Sequence, residues 1–133
     1  MGGCCTTPAT AKHPCPHCGQ PGNSVDERTL LHHLKAPWDW MPQDAWFCEN
    51  PNCGAIYFLA DGNILEQADL RTPVGIKNPG EDALLCYCFG IDRKTLAARP
   101  ALKDFVIERT RNSQCDCAIR NPSGRCCLKD FPR

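Results

Sequence analysis

Apolar residues fall along this chain in short bursts, none long enough to build a large buried element by itself. Val25, Leu30, Leu31 and Leu34 form the first burst, and Ser24 followed by Glu27 three positions on is a capping-box arrangement at its start. The spacing suits a short helix and equally a strand of a ribbon hairpin. Trp38, Trp40, Met41 and Trp46 follow around Pro37 and Pro42, an aromatic cluster of the kind that plugs a small core. Ala55 to Leu59 reads as a strand, Asp61-Gly62-Asn63 as a hairpin turn, and Ile64 to Leu70 as the returning strand. The first half is therefore expected to be small and mostly β.

The stretch from Arg71 to Gly80 is rich in proline and glycine and marks a boundary. Beyond it, Leu84 to Gly90 reads as an extended segment that presents Cys86 and Cys88 in a loop. Asp92 caps a helix running through Leu96 and Ala97 towards Arg99, and Pro100 breaks it. Residues 101–111 form a second helix with Leu102, Phe105 and Val106 on one face. A last loop carries Cys115, Cys117, Asn121-Pro122-Ser123-Gly124 and Cys126-Cys127, with one more turn over Leu128 to Phe131. The expected class is α+β: a tail at 1–12, a β-rich, zinc-ribbon-like subdomain at 13–77, and a small helical subdomain at 78–133 with its ligands on loops.

Neither half can bury a large apolar core, so something must staple each one. Cysteine makes up 12 of 133 residues, which in a short chain means disulfides or metal sites. Met1 to Ala11 lacks an apolar signal segment, and no apolar run approaches the roughly 20 residues that span a bilayer. A cytoplasmic protein without membrane insertion is expected, and in a reducing compartment close thiol doublets serve as ligands. A Cys-x-Cys bridge would also close a small, strained ring. Lys plus Arg equals Asp plus Glu at 15 each, which argues against a broad footprint for nucleic acid or an anionic membrane.

Cys15-x2-Cys18-Gly19 and Cys48-x4-Cys53-Gly54 are matched knuckles. Each offers two thiolates from one tight turn, and the glycine permits positive φ, so that amides can turn towards the sulfurs. Four such thiolates fit tetrahedral zinc. His13, His17, His32 and His33 are substitute ligands in principle, but the doublets already make a full set. Between Cys15 and Cys53 the only basic residues besides histidine are Arg28 and Lys35, too few for a nucleic-acid module. No Cys-x-x-Cys opens a helix within a βαβ pattern, which sets thiol oxidoreductase catalysis aside. Cys4 and Cys5 read as flexible tail thiols, with transient capture of Cu(I) as the alternative. Cys86 and Cys88, with the later thiols, suit either zinc or a rhombic [2Fe-2S] cluster.

The run Cys86-Tyr87-Cys88-Phe89-Gly90 resembles the cluster domain of bacterioferritin-associated ferredoxin. The whole stretch from Cys15 to Phe131 resembles the N-terminal domain of CopZ-type copper chaperones. The residues that carry this are Cys15-Pro16-His17-Cys18, Phe47-Cys48 with Cys53, Ile56-Tyr57-Phe58, Leu70 to Lys77, Cys86-Tyr87-Cys88, and Asn121 to Cys127. The resemblance implies zinc at Cys15, Cys18, Cys48 and Cys53, and a [2Fe-2S] cluster at Cys86, Cys88, Cys117 and one of Cys126 or Cys127. Cys127 is preferred because Phe131 stands where the ferredoxin pattern has an apolar residue four beyond its last ligand.

Three departures stand out. Cys115 is an additional thiol able to replace Cys117 or to lend a thiolate beside the cluster; the interval from Cys88 to Cys117 is short for the family; and these 133 residues hold no Met-x-Cys-x-x-Cys copper-carrying domain. The implied function is single-electron transfer in copper homeostasis, an electron-transfer and metal-binding role more than an enzyme's. An unidentified donor would supply electrons that reduce Cu(II) to Cu(I) for a chaperone domain or a copper-exporting ATPase. The alternative is a soft-metal metallochaperone or a redox or metal sensor in which the cluster is structural.

Overall fold

A computed structural model describes residues 12–78 and 80–131. The first half is an antiparallel meander, β1 (Lys12–Pro14), β2 (Pro21–Val25), β3 (Ala45–Phe47), β4 (Tyr57–Leu59) and β5 (Ile64–Leu65), in spatial order β1-β2-β3-β4-β5. Because neighbours alternate in direction, the β1–β2 turn and the β3–β4 turn lie at the same end of the sheet. That end receives both cysteine knuckles. The longer β2–β3 return lies at the opposite end and is filled by α1 (Glu27–His33), which resolves the helix-or-strand ambiguity. The residue flanking α1 is Asp26 rather than Ser24, without a side-chain cap bond.

Two other expectations change here. The strand beginning at Ile64 ends at Leu65 instead of Leu70, because Glu66 and Asp69 form a reciprocal capping box around a 3-10 turn at Gln67–Asp69. The aromatic cluster is no plug: Trp38 is 80% exposed and Met41 72% exposed. Only Trp40 of that run packs on the core of Leu30, Leu34, Ala45, Phe47, Ile56, Tyr57, Leu59, Leu70 and Val74, while Trp46 stacks on Phe58 beside the knuckles.

In the second half, β6 (Leu84–Cys86) pairs with β7 (Ile91–Asp92). Asp92 caps α2 (Arg93–Ala98) as expected, its carboxylate accepting from the Thr95 amide at 2.7 Å. After Pro100 comes α3 (Leu102–Arg111), of which Val106 is fully buried while Phe105 is 44% exposed against Phe89. A short α4 (Cys117–Arg120) and a 3-10 turn at Cys127–Asp130 are the last elements of the described residues, the latter one residue earlier than expected. No helix of the described residues is long and apolar enough to cross a membrane.

Along one part of the seam, side chains of the first half meet backbone carbonyls of the second. Thr29 Oγ1 donates to Ala118 O at 2.6 Å, the His33 ring bonds Ile119 O at 2.6 Å, and the buried Tyr57 hydroxyl donates to Pro122 O. A carbonyl only accepts, so His33 Nε2 carries the proton and Nδ1 accepts from the Thr72 hydroxyl at 2.7 Å. The proline- and glycine-rich stretch is packed between the halves. Gly75 N–H donates to the Tyr87 hydroxyl at 2.6 Å and Gly75 O accepts from Arg93 at 2.9 Å. Lys77 Nζ reaches back to Asn50 O and Cys53 O at 2.8 and 3.1 Å. A Cβ at Gly75 would stand 1.8 Å from Leu84 O, so only glycine fits.

Replacing Gly75 with alanine should therefore destabilise the metal-loaded protein by about 1–3 kcal/mol in thermal unfolding, whereas Gly54→Ala, whose Cβ meets nothing nearer than 3.9 Å, should be close to neutral. Burial, with the charges of Arg71 and His32 adding to it, holds the His33 pKa below its ordinary 6.5. Between that depressed folded value and 6.5 the unfolded chain binds more protons, so stability from neutral His33 is complete above 6.5 and is lost as pH falls through the window below it. An NMR titration should place the His33 midpoint below 6.5; a midpoint at or above it would contradict this account.

Candidate metal centres

The sulfurs of Cys15, Cys18, Cys48 and Cys53 all lie within 4.8 Å of one another. Cys15 Sγ is 4.0 Å from Cys53 Sγ, and Cys18 Sγ is 3.7 Å from Cys48 Sγ. A tetrahedral zinc with Zn–S bonds of about 2.3 Å needs sulfurs about 3.8 Å apart, so the donor set and its spacing both fit. Each sulfur accepts from the amide two residues further on: His17 for Cys15, Gln20 for Cys18, Asn50 for Cys48 and Ala55 for Cys53. These bonds favour the thiolate form. Gly19, with φ of 80°, turns the first knuckle as expected, whereas Gly54 is not among the glycines with positive φ.

Without a cation the quartet cannot carry four charges. The Gln20 amide and further hydrogen bonds from Asn50, Cys48 and Cys53 hold the Cys18 thiol down to about 6, while burial pushes Cys48 up to about 12 and raises Cys53. A bound divalent ion supplies the positive charge that would let all four ionise. The expected substitute ligands stand elsewhere. His13 is exposed with its ring 4.2 Å from that of Trp46, His17 is exposed, His32 bonds Arg28 O, and His33 is held at the seam.

In the second half Cys86 and Cys127 are fully buried, Cys117 is 1% exposed, and Cys88 is half-buried. Cys88 Sγ lies 3.6 Å from Cys117 Sγ, and the Cys127 thiol is close enough to those of Cys117 and Cys86 to be perturbed by both. The four thus converge, and Cys127 rather than the half-buried Cys126 joins them. Their positions are less loop-like than expected: Cys86 ends β6, Cys117 opens α4 and Cys127 opens the last 3-10 turn. The thiol of Cys117 beside each of them raises Cys88 and Cys127 well above the ordinary range, whereas the bond from Cys127 lowers Cys86. The Asp116 amide donates to Cys88 Sγ at 2.9 Å. Soft thiolates crowded in this way suit iron or zinc.

Cys115 does not provide the spare thiolate expected of it: it is buried and disulfide-bonded, and Cys117 occupies the place in the group. Cys4 and Cys5 lie outside the described residues. The residues that tie the two groups together were not singled out from sequence. Glu49, next to Cys48, accepts from Arg125 at 2.9 Å, and Arg125 stands two residues before Cys127. Glu49 also accepts from Asn23 Nδ2. Their adjacency to cysteines was the available signal, but nothing in a linear chain shows that these two loops face each other.

The sequence family described as a zinc binding domain of CopZ matches residues 12–71, a span that contains all four knuckle cysteines. Copper chaperone CopZ of Archaeoglobus fulgidus is 33% identical over 117 residues, covering 85% of this chain and 57% of that protein. The chain thus spans little more than half the length of that relative. The X-ray structure of the Archaeoglobus fulgidus CopZ N-terminal domain matches with a TM-score of 0.73 at 31% identity, covering 91% of this chain and 100% of that one. With the solved domain covered in full and the zinc binding family matched over residues 12–71, this chain belongs to the family of CopZ-type N-terminal domains.

Proposed function

We propose that the chain holds one zinc ion at Cys15, Cys18, Cys48 and Cys53 and one [2Fe-2S] cluster at Cys86, Cys88, Cys117 and Cys127, and that it transfers single electrons in copper handling. The observation that carries this is the convergence of a second thiol group, separate from the zinc-compatible quartet and tied to it through Glu49 and Arg125. The first quartet serves as a staple: it joins two knuckles of a sheet whose strands are at most five residues long. When bound, the cluster supplies a one-electron couple with little rearrangement of its ligands.

The chain's own residues set the conditions for that couple. Burial of Cys86, Cys117 and Cys127 keeps water from three of the four sulfurs, and the Asp116 amide stabilises charge on the fourth. Half-buried Cys88 is the ligand nearest solvent. Half-buried Cys126 adds a free soft donor next to Cys127, suited to brief contact with Cu(I). Cu(II) is the substrate in this reading, and it takes one electron to become Cu(I). The named relative is a copper chaperone, and the recipients that fit are a copper-carrying chaperone domain or a copper-exporting ATPase, with a cytoplasmic donor resupplying the electron.

Anaerobically purified protein should contain about two irons and one zinc per chain. Cys127→Ser should remove the iron and its visible absorption while leaving the zinc, and Cys126→Ser should retain both, as metal analysis and absorption spectra will show. Protein reduced with dithionite, freed of excess reductant and mixed with Cu(II), should recover its oxidised spectrum as Cu(I) forms. A spectrum that stays reduced ends the redox reading.

A further inference from the structure

Three arginines from separate elements line one hollow at the seam between the halves. Arg28 comes from α1, Arg71 follows the bridge residue Leu70, and Arg120 ends α4. The hollow measures about 500 Å³ and is also lined by His33, Tyr87 and Asp116. That volume falls within the range of small-molecule sites. The chain as a whole is balanced at 15 acidic and 15 basic residues, so three arginines lining one hollow with a single acidic residue, Asp116, is a local concentration.

Internal pairing does not use these groups up. Arg120 Nε is 3.8 Å from Asp116 Oδ2 with both side chains more than half exposed, a weak pair. Arg71 spends Nε on His32 O at 2.7 Å, which orients the guanidinium and leaves its terminal nitrogens. Both ring nitrogens of His33 are already bonded, so that residue forms wall and not ligand. Guanidinium forks of this kind match the paired oxygens of carboxylates and phosphates. A concavity where three elements meet fits a small solute better than the flat face of a protein.

We infer that this hollow binds a small anion bearing carboxylate or phosphate groups, gripped by Arg28, Arg71 and Arg120. Two of its walls belong to the second thiol group's loops: Tyr87 lies between Cys86 and Cys88, and the Asp116 amide is bonded to Cys88 Sγ. An occupant therefore sits against the segments that shape that group. The inference goes beyond the metal reading and does not depend on which metal the thiols hold.

Calorimetric titration of the full, metal-loaded chain with succinate in one arm and inorganic phosphate in the other, at fixed salt, tests it. The expected result is saturable one-to-one binding of at least one of them, the stronger arm naming the preferred group. Arg28→Gln and Arg120→Gln should each weaken that binding about tenfold, or about 1.4 kcal/mol. Arg99→Gln, an equal loss of charge at an exposed position outside the hollow, should leave it unchanged. No saturable binding of either anion up to about 20 mM, where even a millimolar site would be filled, overturns the proposal. An equal loss in Arg99→Gln does so as well, because it reduces the effect to overall charge.

Discussion

Three side chains of the first half, Thr29, His33 and Tyr57, bond to three carbonyls of the second, those of Ala118, Ile119 and Pro122. The last carbonyls of any helix lack partners within it, and α4 is only four residues long, so nearly all of its carbonyls are orphans. A helix that short does not hold itself together. Its shape is imposed from outside by α1, whose Thr29 and His33 bond the Ala118 and Ile119 carbonyls, while Tyr57 of β4 holds Pro122 just beyond it. Cys117 is its first residue, so the same bonds that satisfy these carbonyls also position a thiol of the second group.

From that constraint the rest of the second half follows. With α4 and the Asn121-Pro122-Ser123-Gly124 turn seated, Gly124 takes φ of 71° and Asn121 Oδ1 accepts from the Ser123 amide and hydroxyl, which turns the chain back towards Cys127. Arg125 then meets Glu49 beside the first quartet. Lys77 bonds carbonyls of the Cys48 to Cys53 knuckle, while Arg93 and Tyr87 hold the neighbouring Gly75. The two thiol groups thus share a polar framework although each has its own apolar cluster. A chain with cores this small depends on such bonds, because a buried carbonyl left without a donor costs more than a satisfied one gains.

Much of the local structure was legible in the sequence because local chemistry decides it. The Cys-x2-Cys turn with Gly19 folds into a knuckle through its own amide-to-sulfur bonds, and Asp92 caps α2 through the Thr95 amide three residues away. Where local signals were evenly matched or misleading, packing intervened. The 27–33 stretch is helical because it fills the return between β2 and β3. Trp38 and Met41 are exposed because the small core is already filled by Phe47, Tyr57 and the leucines around them. The strand after Ile64 ends early because Glu66 and Asp69 satisfy each other's backbone amides, a short-range signal that the apolar pattern through Leu70 masked.

By itself, the sequence determined which residues are candidate metal ligands and that the Cys15 to Gly19 stretch folds into a tight knuckle, because thiol spacing and glycine placement act within a few residues. Which thiols stand together was decided only by the tertiary structure. The meander's alternating direction brings Cys15 and Cys18 to Cys48 and Cys53, and the seam brings Cys127 and not Cys126 to Cys86 and Cys117. The partnership of Glu49 with Arg125 and the gathering of Arg28, Arg71 and Arg120 are likewise products of long-range packing. They join positions tens of residues apart through contacts that no periodicity in the chain encodes.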